Sequence, residues 1–199
     1  MWLYGFGKAV VWPFYHSLLR MKVEGLENVP PTGRLIFCVN HFTWHDPLVI
    51  GITAPRRVAF MAKEELFRNR FVGWVIAGLG VFPVKRGQPD RAALRHSREI
   101  LESGGCLGIF PEGTRNRTGR LAKAEPGAAY FALKSDTPVI PVGISGTYKL
   151  FTPLIVRFGK PVDLDQFRDG RLSSEQMQGA GEAIMGAIGA LLVPPVTSA

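Results

Sequence analysis

His41, His45 and Asp46 fall within Val39–Pro47, "VNHFTWHDP", directly after the apolar run "RLIFCV". Two imidazoles and a carboxylate in so short a segment suit proton transfer, metal ligation or simple helix capping. His41 and Asp46 are five residues apart, which on one helix would set them about 140° around the axis, so they cannot share a helical face. They converge only through a turn: a strand ending near Val39, a loop carrying His41, and a helix starting at Asp46-Pro47, with Asp as N-cap and Pro at the first helical position. There Asp46 either caps the helix and nothing more, or also holds one nitrogen of His41. The second arrangement fixes the tautomer so that the other nitrogen accepts a proton from an alcohol.

No protein nucleophile completes such a pair. "GISGT" around Ser145 has Thr where a nucleophile elbow needs its second Gly, and neither a Walker loop nor a dinucleotide fingerprint is present. If His41 is a base, the nucleophile is the substrate's own hydroxyl. A metal-dependent hydrolase built on His41, His45 and Asp46 is the competing reading. It lacks the Glu of H-E-x-x-H, and Asp46-Pro47 starts the helix only after His45.

"FPEGTRNRTGR" follows the strand-like "CLGIF" at its carboxyl end, where open α/β sheets place ligands. Gly113 permits close backbone approach, Thr114 adds a hydroxyl, and Arg115 can grip a phosphate through two hydrogen bonds. Glu112 is awkward beside an anion and suits the role of orienting Arg115 or another donor. "GVFPVKRG" delivers Lys85 and Arg86 after another strand end, as further cations for the same anion. Taken singly, each basic cluster reads first as a solvated loop.

The elements that must position these groups follow from alternation. "RLIFCV", "RVAFMA", "GVFPV", "CLGIF", "TPVIPVGI" and "LIVRF" read as strands, whereas "KEELFRNRFVGWVIAG", "DRAALRHSREILESG" and "PGAAYFALKSD" read as helices. The pattern predicts a single α/β domain with a largely parallel central sheet flanked by helices. Asp90 is expected to cap the middle helix, which turns Ala93, Leu94, Ser97, Ile100 and Leu101 to one face and stops at Gly104-Gly105. The uncharged "FVGWVIAGLGVFPV" is too short to cross a bilayer. It reads as a buried helix entering a strand, or as a lipid-facing or acyl-lining surface.

A chain of 199 residues, 46% hydrophobic and 20% charged, is expected to form one globular core. A net charge of +8 favours anionic partners without choosing among them. Cys38 and Cys106 lie in strand-like runs without C-x-x-C spacing and read as buried free thiols. The first 20 residues crowd Trp2, Tyr4, Phe6, Trp12, Phe14 and Tyr15 together without a spanning run or a signal-peptide pattern. They are expected to form an in-plane membrane-anchoring helix, with packing on the core as the alternative. The domain is then 21–192, followed by a frayed tail over 193–199.

"NHFTWHD", "GVFPVKRG", "FPEGTRN" and "VIPVGI", in this order at strand ends, resemble the glycerolipid acyltransferases of the 1-acyl-sn-glycerol-3-phosphate acyltransferase group. The resemblance runs from about Met21 to Phe158 and includes "AKEELF" and "PGAAYFALKSDTPVIPVGI". The family's H-x4-D motif falls on His41 and Asp46, its second motif on Gly80 to Gly87, F-P-E-G-T-R on Phe110 to Arg115, and V-P-V around Pro141. Two positions depart from the commoner pattern: the extra His45, and Glu125 where a basic residue is frequent.

The resemblance implies transfer of a fatty acyl group from acyl-CoA or acyl-carrier protein to lysophosphatidate, with glycerol 3-phosphate or another lysolipid as alternative acceptors. It implies His41 as base, Asp46 as its partner, and Lys85, Arg86, Glu112, Gly113, Thr114 and Arg115 around the acceptor phosphate. Val139, Ile140, Pro141 and Val142 would sit on the acyl-donor side, or serve only as strand core. No metal or cofactor is implied beyond the thioester co-substrate. The partners would be an anionic membrane surface rather than nucleic acid, with the protein peripheral or monotopic on the cytoplasmic face. A non-enzymatic lipid-surface binder is the further alternative.

Overall fold

The computed structural model describes residues 2–85, 90–116, 121–168 and 172–192. Arg86, Gly87 and the tail 193–199 lie outside the described residues, as do the side chains of Trp2, Phe6 and Phe14. The described strands are β1 (Met21–Glu24), β2 (Leu35–Val39), β3 (Val58–Lys63), β4 (Val81–Val84), β5 (Cys106–Ile109), β6 (Val139–Gly146) and β7 (Leu154–Phe158). They form one seven-stranded sheet in the order β1-β7-β6-β2-β5-β3-β4. Every pair is parallel except β6 with β7, so five parallel strands carry a reversed pair at one edge.

The helices are α1 (Trp2–Leu18), α2 (Asp46–Thr53), α3 (Arg70–Gly78), α4 (Arg91–Glu102), α5 (Pro126–Lys134) and α6 (Ser174–Leu191). β2 shows why its sequence is apolar without alternation. Leu35, Phe37 and Val39 join one core cluster, while Ile36 and Cys38 join the other, so both faces of the strand are covered. The first cluster draws on α1 and α2, the second on α4, α5 and α6. Cys38 and Cys106 are buried and free, and burial pushes both thiols up.

All six strands expected from the sequence form. Asp90 caps α4 through the backbone N–H groups of Ala92 and Ala93, as expected, and also accepts from that of Lys85, which ties the end of β4 to the helix. The expected single helix over "KEELFRNRFVGWVIAG" divides into a 3-10 turn at Glu64–Phe67 and α3. The break falls at Asn69, whose side chain accepts from the backbone of Phe71 and Val72 and so starts a new helix. Burial of this stretch holds only in part. Gly73 is turned inward, but Phe71 is 73% and Trp74 59% exposed. Two elements escaped the sequence reading: the short edge strand β1, and α6, which opens with a capping box between Ser173 and Gln176.

α1 packs lengthwise on α2. The Tyr4 hydroxyl donates to the Gly51 carbonyl at 2.9 Å, the Lys8 ammonium donates to the Ala54 carbonyl at 2.7 Å, and Tyr15 and Leu19 are buried in the core. Lys8 thereby sets a cation at the carboxyl end of α2, where the helix dipole favours it. Gly5, Ala9, Trp12, Pro13 and His16 remain on the exposed side.

Candidate active site

Adjacent strands β2 and β5 end side by side, and the loops that follow them meet. The chain leaves β2 at Asn40, whose amide takes over the next step of the ladder. Its Nδ2 donates to the Ile144 carbonyl at 2.9 Å, and its Oδ1 accepts from the Ile144 N–H at 2.8 Å. A side chain thus satisfies β6, freeing the backbone to turn away and carry His41 over the sheet end.

The His41 Nδ1 lies 2.8 Å from Asp46 Oδ2. The same oxygen accepts from the backbone N–H groups of Phe42 at 2.8 Å and Thr43 at 2.7 Å. Oδ1 accepts from the Thr43 hydroxyl at 3.0 Å and the Tyr148 hydroxyl at 2.7 Å. Asp46 is fully buried, yet its charge is compensated by directed donors. The capping expectation is corrected here. Asp46 is the first residue of α2, and its carboxylate reaches back to the loop before the helix rather than forward to α2. A carboxylate only accepts, so Nδ1 carries the proton and neutral His41 keeps its lone pair on Nε2.

The ring of His41 is held from behind as well. It stacks on Phe110 at 3.9 Å with 23° between the planes, and Phe110 stacks on Phe60 at 5.6 Å. Gly108 makes this possible, since a Cβ there would fall 2.1 Å from the Phe60 ring. The glycine inside β5 therefore exists for close packing, and the result reaches His41 through two rings.

Glu112 is buried with both oxygens engaged. Oε1 accepts from the His41 N–H at 2.9 Å, and Oε2 accepts from the Asn116 amide at 3.0 Å and the Ala122 N–H at 3.1 Å. It orients two backbone donors and the Asn116 amide rather than Arg115. The Asn116 N–H donates to the His41 carbonyl at 2.7 Å, closing the seam between the two loops. Gly113 adopts a φ of +68°, and a Cβ there would meet Glu125 at 2.9 Å, so the turn admits glycine for both reasons. Thr114 and Arg115 are exposed at its tip, with Arg115 one residue from the bond to His41.

Lys85 is exposed after β4, three strands from β2 and so about 14 Å away across the sheet end. Arg115 is the nearer cation, and Arg86 lies outside the described residues. Val139, Ile140, Pro141 and Val142 are buried in β6, in the interior of the sheet. Among the described residues, no group of three His, Cys, Asp or Glu side chains converges as a metal-ion site. The His45 ring stacks against Trp44 and Tyr148, and its Nδ1 is hydrogen-bonded to the Tyr15 hydroxyl.

The arrangement is an ordered imidazole–carboxylate pair at the carboxyl end of a parallel sheet, beside a glycine turn carrying an exposed arginine. Residues 20–145 match the family model described as Acyltransferase. The chain belongs to the acyltransferase family. Acyltransferases similar to it include the chloroplastic 1-acyl-sn-glycerol-3-phosphate acyltransferase of Arabidopsis thaliana, 32% identical over 70% of this chain and 39% of that protein. The enzyme of the same name from Borreliella burgdorferi is 34% identical over 69% of this chain and 56% of its own. Each match therefore spans well under two thirds of those relatives' lengths.

The crystal structure of the 1-acyl-sn-glycerophosphate acyltransferase of Thermotoga maritima superposes on this chain with a TM-score of 0.71. It is 31% identical and covers 95% of this chain and 78% of that one. The mostly parallel sheet with flanking helices is thus shared with a solved member of the family. Sequence reasoning missed four groups around the pair: Asn40, Thr43, Tyr15 and Tyr148. Asn40 and Thr43 sit inside the quoted motif segment, where a polar residue closing an apolar strand was a usable signal. Tyr15 and Tyr148 carried none, because only the fold brings them to His45 and Asp46.

Proposed function

We propose that this chain transfers a fatty acyl group from acyl-CoA or acyl-carrier protein to the sn-2 hydroxyl of 1-acyl-glycerol 3-phosphate, forming phosphatidic acid. The observation that carries the reading is the His41–Asp46 pair, with Nε2 free of Asp46 and Arg115 alongside. His41 Nε2 takes the acceptor's hydroxyl proton as that oxygen attacks the thioester carbonyl. Asp46 stabilises the imidazolium, and the carbon–sulfur bond breaks as the proton passes to the departing thiolate. Arg115 holds the acceptor phosphate, with Lys85 and Arg86 adding positive potential and Glu112, Gly113 and Thr114 shaping the turn. The likeness to relatives named for 1-acyl-sn-glycerol 3-phosphate supports this acceptor.

The test is an acceptor screen with one acyl-CoA, run with and without a chelator. Lysophosphatidate is expected to give the highest kcat/KM, unaffected by chelation. Preference for glycerol 3-phosphate would replace the acceptor, and loss of turnover on chelation would favour the hydrolase built on His41, His45 and Asp46. Arg115→Ala is expected to raise the acceptor KM by about tenfold or more, and Arg115→Lys by less, because lysine restores charge without the paired hydrogen bonds. The donor KM stays near wild type if the sites are separate. A defect confined to the donor KM would assign Arg115 to the coenzyme A phosphates.

The protein acts at an anionic membrane surface on the cytoplasmic side, as a peripheral or monotopic enzyme. No described helix is long and apolar enough to cross a membrane. α1 keeps one side in the core and the other exposed, and α3 beside it presents Phe71, Val72 and Trp74 next to Arg68 and Arg70. Serine at both Phe71 and Trp74 is expected to weaken binding to anionic vesicles by about tenfold or more. Turnover of a detergent-dispersed short-chain acceptor should change little. Vesicle binding equal to wild type in the double variant would remove α3 from the membrane face.

A further inference from the structure

Among the described residues, four of the five hydrogen bonds to the Asp46 carboxylate come from His41, Phe42 and Thr43, all on its own loop. The fifth comes from Tyr148, 102 residues further along the chain and just past the end of β6. Tyr148 is therefore the group that fixes the carboxylate relative to the sheet. Rotation about the final bond of an aspartate side chain is soft, so the direction of Oδ2 toward His41 is set jointly by the Phe42 and Thr43 N–H groups on that oxygen and by what grips Oδ1. Without the Tyr148 hydroxyl, that grip reduces to the Thr43 hydroxyl at 3.0 Å.

Tyr148 is itself held. The His45 ring stacks on it at 4.8 Å with 18° between the planes, Phe42 packs at 5.6 Å, and Tyr15 meets it edge-on at 6.5 Å. The Tyr15 hydroxyl is hydrogen-bonded to His45 Nδ1. Burial raises the pKa of both tyrosines, helped by the Asp46 charge, and burial lowers that of His45 against the pull of the same charge. Tyr15 is thus hydrogen-bonded to a neutral His45, and Tyr148 remains a donor to Asp46.

We propose that Tyr148 is a positioning residue for the His41–Asp46 pair, and that His45 and Tyr15 form the bracket that holds it, which makes α1 part of the active-site framework. The proposal rests on the reading of His41 as the base. It gives His45, the histidine outside the H-x4-D pattern, a role that needs no metal ligation: it is the ring against which Tyr148 stacks. It also gives the amino-terminal helix a direct connection to the chemistry, running Tyr15 to His45 to Tyr148 to Asp46.

Tyr148→Phe keeps the ring and its stack while removing only the donor. It is expected to lower kcat by about tenfold or more, with both KM values within about twofold of wild type. The low-field NMR resonance of the His41 Nδ1 proton should move in this variant. That signal needs no substrate, so it reports on the bracket even where lysophosphatidate proves to be the wrong acceptor. In an Asp46→Asn background the Tyr148→Phe loss should shrink, since both act through one group. His45→Ala should cost about threefold to tenfold in kcat, and His45→Phe, which keeps a ring, less than that.

A Tyr148→Phe enzyme with wild-type kcat and an unmoved resonance would overturn the proposal. So would a loss that multiplies in full on Asp46→Asn. Equal inactivation of His41→Ala and His45→Ala, both restored by zinc, would make His45 a ligand instead and end the bracket reading.

Discussion

His41→Ala is expected to reduce acyl transfer by about 10³- to 10⁴-fold, the upper part of the roughly 10²- to 10⁴-fold range over which a positioned general base contributes. The variant should nevertheless fold. The bonds from His41 to Glu112 and from Asn116 to His41 use the backbone of residue 41, and Phe42 and Thr43 still donate to Asp46 without the ring. What disappears is one partner of Asp46 and the stack on Phe110, a cost of about 1–3 kcal/mol. Steady-state turnover alongside a thermal melt separates the two effects. A folded variant retaining more than about a tenth of wild-type kcat would take the base role from His41.

The parts of the fold legible in the sequence are those fixed by local patterning. "RLIFCV" announced β2 because a strand buried on both faces must be apolar throughout, and Asp90 announced α4 because a cap is a local bond. α3 was legible in type and misplaced in extent, since Asn69 interrupts an otherwise continuous apolar run with a two-bond cap. The sequence left its exposure open between a buried helix and a lipid-facing surface. Phe71 and Trp74 look like core residues by composition, and only the packing of neighbouring elements decides which face of a helix is covered.

The site divides in the same way. His41 and Asp46 were legible as a pair because five residues rule out a shared helical face and Pro47 marks the turn. The direction of the Asp46 carboxylate was not legible, because an aspartate at a helix start can bond forward to the helix or backward to its own loop. Glu112 shows the other failure. Its place in a conspicuous basic loop suggested service to a cation, whereas burial turned it to three donors that join the loops after β2 and β5. Tyr148 and Tyr15 come from distant parts of the chain, on either side of the motif, and no spacing rule connects them to residue 46.

Asparagine at position 46 discriminates among these roles, because the structure dictates how the amide must sit. Three N–H groups, from His41, Phe42 and Thr43, point at the place of Oδ2, and an NH₂ there would face donors only. The asparagine oxygen is therefore forced into that place, with its NH₂ toward the hydroxyls of Thr43 and Tyr148. Hydroxyls can turn and accept, so the loop survives. The same constraint keeps the proton on His41 Nδ1, so the tautomer is preserved and only the charge opposite the imidazolium is lost. Asp46→Asn is accordingly expected to lower kcat by about 10²-fold, well short of the roughly 10⁴-fold that accompanies a reversed tautomer in a serine-protease triad. Asp46→Ala should behave differently. It strands the N–H groups of Phe42 and Thr43 at about 1–3 kcal/mol for each buried donor left unpaired, and should lose melting temperature as well as activity. The measurement is kcat with a thermal melt for both variants. Wild-type turnover in Asp46→Asn would reduce Asp46 to the anchor of its loop, whereas a loss equal to that of His41→Ala, in a folded protein, would mean that the charge and not the orientation carries the effect.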